Sequence, residues 1–194
     1  MTDVRPWTYA ALFGALWGAL EATLGTAIHL GKLPMRGTIM GLLGLLCLIC
    51  LRRLQNRPGV CLLAGLVAVF LKIFTLGGLF PGPLIGITVQ ALAVEVAMTA
   101  TGGRAVGAAL GGALTLATNP LQKLATTWVV LGLDGLRAYF ELLAAAAAAV
   151  GLDGLRPVVL IGAVVAWAAA VGVVGGLWSY WVAGRVARRL GVLR

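Results

Sequence analysis

The sequence predicts an all-α integral membrane protein, a single domain over residues 1–194. It has six transmembrane helices, both termini cytoplasmic, and a short extra helix in the outer loop between spans five and six. Three observations predict this class. The chain is 61% hydrophobic and only 11% charged, a balance suited to lipid rather than water. Its apolar residues fall into six runs that approach or reach the roughly 20 residues needed to cross a bilayer. Its arginines gather in alternate connections and at the C-terminus, the asymmetry that orients membrane proteins.

The first run covers about 7–30, opened by Pro6 at a position suited to a helix start. It is too long for a cleaved signal core and reads as a retained span. The second covers about 37–51, the shortest of the set. Arg52-Arg53-Leu54-Gln55-Asn56-Arg57-Pro58 separates it from the third, about 59–76. The cluster from Gly77 to Pro83 breaks the helix before the fourth, about 84–100. Gly102-Gly103-Arg104 precedes the fifth, about 105–131, and the sixth, about 158–183, leads into Arg185, Arg188, Arg189 and Arg194. Between the last two, an Ala-rich helix is expected from Asp134, as N-cap, to Val150. Six spans with both ends inside place Arg52, Arg53, Arg57, Arg104 and the C-terminal arginines in the cytoplasm.

A net charge of +9 would raise nucleic acid as a partner of a soluble protein. Here the basic residues are scattered over loops and ends with no aromatic-basic stripe, so topology accounts for them. Cys47 and Cys50 form a C-x-x-C inside a span, and with Cys61 they read as small buried hydrophobes. Ser179 is the only serine and no phosphate-binding loop occurs, so no catalytic residue is expected and the chain cannot itself hydrolyse ATP by that route; active pumping would need a separate engine. A lone His29 and the absence of clustered acids leave no metal site.

Ionisable groups within apolar runs are expensive and mark sites or pathways. Glu21, Lys72, Glu95 and Lys123 are such groups, read as lying in the half away from the cytoplasmic arginines. Thr115, Asn119, Gln122 and Thr126 share one face of span five, beside Pro120, and Gln90 adds an amide from span four. His29, Lys32 and Arg36 bring cationic groups to the first outer loop, where they can meet an anionic solute or simply be solvated. The two acids and two bases can pair with one another as a structural network. They can equally admit a polar solute between them. The expected solute-binding set is therefore Glu21, His29, Lys32, Arg36, Lys72, Gln90, Glu95, Asn119, Gln122 and Lys123.

Span one carries a small-residue stripe, Ala11, Ala15 and Ala19 with Gly14, Gly18, Ala22 and Gly25 on or beside it, while Trp17 and its apolar neighbours take the remainder. Such stripes let helices approach closely in lipid, within this bundle or against another subunit. The hexapeptide Gly-Leu-Asp-Gly-Leu-Arg occurs at 132–137 and again at 151–156, either as a reused turn or as a loop that orders over a ligand through Asp134 and Arg137.

Together these features resemble the substrate-binding S components of energy-coupling factor (ECF) importers. Those are six-helix bundles of this size, and Ala11-Leu12-Phe13-Gly14-Ala15 is similar to the Ala-x-x-x-Ala motif on their first helix. The resemblance implies that Ala11, Ala15 and Ala19 dock on a transmembrane coupling subunit, with two ATPase subunits consuming ATP. It implies a prokaryotic cell membrane and outer loops, here 29–36, 77–83 and 132–157, that close over the solute. The Met-His start of the cobalt and nickel members is absent, so the implied solute is a vitamin or related organic micronutrient. A secondary carrier, a small intramembrane enzyme and a purely structural subunit remain the alternatives.

Overall fold

Helices form wherever the apolar runs fall, and glycine decides how closely they meet. The computed structural model describes residues 4–30, 35–75, 81–149, 151 and 154–189. Six helices follow in order: α1 (Arg5–Leu30), α2 (Arg36–Leu54), α3 (Val60–Thr75), α4 (Pro81–Ala100), α5 (Ala105–Ala148) and α6 (Pro157–Arg189). No strand occurs among the described residues. Three segments are long and apolar enough to cross a membrane, Arg36–Leu54, Gly82–Ala100 and Pro157–Arg189, while the apolar Val60–Phe74 is shorter.

The shortest expected span is the hub: α2 touches all five other helices, the one element to do so. Its Leu45, Leu48, Ile49 and Leu51 are fully buried, packed with Trp17 of α1 and with Val94 and Met98 of α4. Trp17, read from the sequence as lying off the small-residue stripe of span one, belongs to this core. It is 0% exposed, and a Cβ on Gly44 would fall 2.7 Å from its indole, so only glycine leaves room for the ring.

Close backbone approach recurs at each main crossing. A Cβ at Gly14 would lie 2.8 Å from the Val67 Cβ and against the Ala64 carbonyl, which brings α1 onto α3. At the α5–α6 crossing Gly112 and Gly172 face one another, and a Cβ on either would collide with the other's carbonyl oxygen. Small residues at interfaces are how helices associate where lipid removes the hydrophobic drive.

Turn chemistry brings the arginines to one end. After α4, the amide of Gly103 donates to the Met98 carbonyl and that of Gly102 to Thr99, a Schellman closure that needs the left-handed φ of 63° at Gly102. Asn56, in the α2–α3 connection, donates to the Gly102 carbonyl at 3.2 Å. Arg53 donates to the Tyr180 hydroxyl of α6 at 2.7 Å, and Trp7 of α1 sits beside Gly59. The α2–α3 and α4–α5 turns, the start of α1 and the last turns of α6 therefore share one end.

The expected accessory helix is present and follows span five directly, with a break at Gly132 and no intervening loop. Gly132 interrupts α5 with φ 67° and ψ −157°. Positions 123 and 139 would be about 24 Å apart in a straight helix. Instead Lys123 Nζ sits 5.4 Å from the Tyr139 ring centroid, so the chain doubles back at Gly132. The returning stretch faces α6 across a shallow apolar cavity of about 300 Å³, lined by Leu143, Ala146 and Ala147 on one side and Leu160, Ala163 and Val164 on the other. Both copies of the repeated hexapeptide start with a left-handed glycine, Gly132 and Gly151. Asp134 lies inside the resumed helix and pairs with Arg137 at 3.3 Å, both exposed.

Candidate functional site

Lys72 stands one turn from the C-terminal end of α3, and Glu21 on α1 reaches it. The ammonium lies 3.2 Å from Glu21 Oε2 and donates at 2.8 Å to the Glu21 carbonyl, with the side chains 7% and 12% exposed. Glu21 and Gly25 are four residues apart and share a helix face. A Cβ on Gly25 would fall 3.4 Å from both Lys72 Nζ and Met40 Sδ, so glycine there lets α2 close over the pair. An ammonium and a carboxylate held this way are mutually neutralised, and removing either strands a buried charge.

Three amides surround this end of the bundle, each tied to a glycine carbonyl on another helix. Gln90 of α4 donates to Gly41 at 2.7 Å, Asn119 of α5 donates to Gly37 at 3.1 Å, and Gln122 donates to Gly82. The first two acceptors lie in the opening turns of α2 and the third at the start of α4. Asn119 and Gln122 are on the polar stripe read from span five, and Pro120 between them stays within the helix. Each of these bonds is a polar interaction that a solute with matching donors and acceptors can exchange for its own.

Glu95 belongs elsewhere, against the expectation that grouped it with Glu21, Lys72 and Lys123. Its carboxylate accepts from the amides of Gly59 and Cys61 at 2.9 Å each, from Thr99 at 2.8 Å and from Arg52 at 3.4 Å. It thus closes the N-terminus of α3, where unpaired amides favour an anion. Arg52 also donates to the Arg57 carbonyl and, at 3.1 Å, to Thr99. Along α3 the two charge pairs are about 17 Å apart. The reason is direction: α4 runs toward the arginine end, and Glu95 is in its last two turns.

The remaining expected residues divide as follows. Lys123 is exposed and engages Tyr139 rather than the Glu21–Lys72 pair. Arg36 opens α2 and is exposed. Lys32 and the side chain of His29 lie outside the described residues. On α1 the small stripe splits, since Gly14 and Gly18 are buried against α3 while Ala11, Ala15 and Ala19 are exposed. Cys47 and Cys61 are buried and Cys50 is half-buried, all three as free thiols.

Sequence reasoning missed Arg52 as the partner of Glu95, and Met40 and the glycine carbonyls as the setting of the other pair. Arg52 was hidden because positive-inside counting treats every arginine as a solvated loop charge, yet its side chain is only 2% exposed. The signal for the carbonyls was Gly37 and Gly41 at four-residue spacing, which bares one stripe of α2 backbone. No family model matches the chain, and no curated protein or solved structure is significantly similar to it.

Proposed function

We propose that this chain is the membrane-embedded S subunit of an ECF-type importer. In this reading it has six spans with both termini in the cytoplasm of a prokaryote. It captures a vitamin or related organic micronutrient from outside and passes it to a coupling subunit driven by two ATPases. The observation that carries the reading is the buried Glu21–Lys72 pair with Gln90, Asn119 and Gln122 at the end of the bundle away from Arg52, Arg53 and Arg104. Charge at that depth is costly and is kept where a solute uses it. The pair and amides offer donors and acceptors of both signs, matching a solute that combines a carboxylate or ring carbonyl with N–H groups.

A second support is the division of α1. Gly14 and Gly18 are consumed by packing on α3, and Ala11, Ala15 and Ala19 stay exposed with Leu12 and Leu16 beside them. A flat face of alanines is what a second transmembrane subunit needs for close approach.

The test is mass spectrometry of small molecules retained by the gently purified protein, followed by binding of that compound to Lys72→Met. One compound at a single stoichiometry, lost in the variant, is the expected result. Transport by the isolated chain in vesicles without ATPase partners would instead make it a secondary carrier, and chemical turnover of the compound would make it an enzyme.

A further inference from the structure

The exposed side of α6 is not uniform. Trp167, Val171, Val174 and Trp178 line an apolar groove of about 510 Å³ whose other wall is Leu42 of α2. The same helix face continues at three- and four-residue steps to Trp181 and Arg185. Helices α2 and α6 run in parallel, with Leu42 beside Gly175 and Arg53 beside Gly184, so the groove leads directly to the arginine end.

That end is built for an anion. The Arg185 guanidinium stacks 3.6 Å from the Trp181 ring centroid, and Arg53 stacks 4.1 Å from the ring of Tyr180 while donating to its hydroxyl. Arg53 Nε is buried without a hydrogen-bond partner, and its Nη2 points to Gly184, whose carbonyl accepts from Arg188 at 3.3 Å. Arg53 and Arg188 thus both approach Gly184, and Arg185 is the next residue along α6, so the three arginines lie at one level of the helix. The groove from Trp167 to Ser179 is about 18 Å long, close to the roughly 15 Å of hydrocarbon in one leaflet.

We propose that the α2–α6 groove seats one anionic phospholipid of the leaflet at the arginine end. Its acyl chain lies along Leu42, Val171 and Val174, and its phosphate meets Arg53 and Arg185. An apolar slot of one-leaflet length explains the chain, and arginines ringed by aromatic side chains at the interface explain the headgroup. The inference requires only that α6 is embedded, and it is independent of the solute-capture reading.

The full chain, purified in detergent, is incubated with equal amounts of phosphatidylglycerol and phosphatidylcholine of identical acyl chains and analysed by native mass spectrometry. The first retained lipid is expected to be phosphatidylglycerol, favoured by about five-fold for each arginine engaged. In the Arg53→Gln/Arg185→Gln double variant the two lipids should bind alike. Equal binding to the unaltered protein, which needs no variant, overturns the proposal, as does an unchanged preference in the double variant. Val174→Trp fills the groove and leaves every arginine in place, so it should release the tightly held lipid; continued retention there also overturns it. A dimer that excludes lipid would make the occupant a second copy of this chain instead.

Discussion

Lys72 and Glu21 sit 3.2 Å apart on two helices that meet through Gly14 and Gly18. The tightness of that crossing is what buries the pair. Replacing Lys72 with Met leaves the Glu21 carboxylate without its partner, at an expected cost of about 3 kcal/mol in stability. The companion Glu21→Leu/Lys72→Met protein, with neither charge, should recover most of that loss. Thermal unfolding of the four proteins of the cycle in detergent measures it. A double variant no more stable than the single one would show that the pair is not the coupled unit inferred here.

Glu95 should behave as part of the scaffold. Glu95→Ala removes the acceptor for Gly59, Cys61, Thr99 and Arg52 at once, and the expected cost is about 3 kcal/mol or more. Solute retention by whatever protein remains folded should be unchanged, since the carboxylate is at the other end of α3. Melting temperature and retained-ligand stoichiometry, measured together, separate this role from a binding one.

Adjacent small residues on α1 should respond in opposite ways. Gly14→Val forces side-chain atoms into the Ala64 carbonyl and should abolish folding. Ala15→Trp places its ring on an exposed face and should shift stability by no more than about 0.5 kcal/mol. If that face receives the coupling subunit, Ala15→Trp also prevents co-purification of the complex while leaving solute capture intact. Normal assembly of Ala15→Trp would remove the docking role from this stripe.

The two glycine environments on α6 offer a cleaner contrast. Gly172→Leu drives into the Gly112 carbonyl, which cannot rotate away, and the expected penalty exceeds about 3 kcal/mol. Gly162 has nothing within 4 Å of where a Cβ would stand. Gly162→Ala should therefore stabilise the helix by roughly 1 kcal/mol, the intrinsic difference in propensity. Unfolding midpoints for the two variants, moving in opposite directions, are the check.

Much of the architecture was legible in one dimension. Apolar runs marked where each of the six helices falls, because hydrophobic length is read without knowledge of neighbours. Gly102-Gly103 marked the close of α4, and the polar stripe of Asn119 and Gln122 marked a face that meets other helices. The place of Glu95 was misread: it was grouped with Glu21, Lys72 and Lys123, and the structure sets it at the arginine end with Arg52.

Other features had no local signature. The fully buried Trp17, the pairing of Lys72 with Glu21, the reversal of α5 at Gly132 and the central place of α2 each depend on which helices become neighbours. Sequence by itself determined the helices and the end to which the arginines go, since hydrophobic length, periodicity and turn chemistry act within a few residues of chain. Tertiary structure alone decided which charges pair and which glycines touch, because in an apolar bundle nearly every helix face is greasy enough to be buried. The choice among those faces is made by backbone-to-backbone fit, which exists only once two helices are side by side.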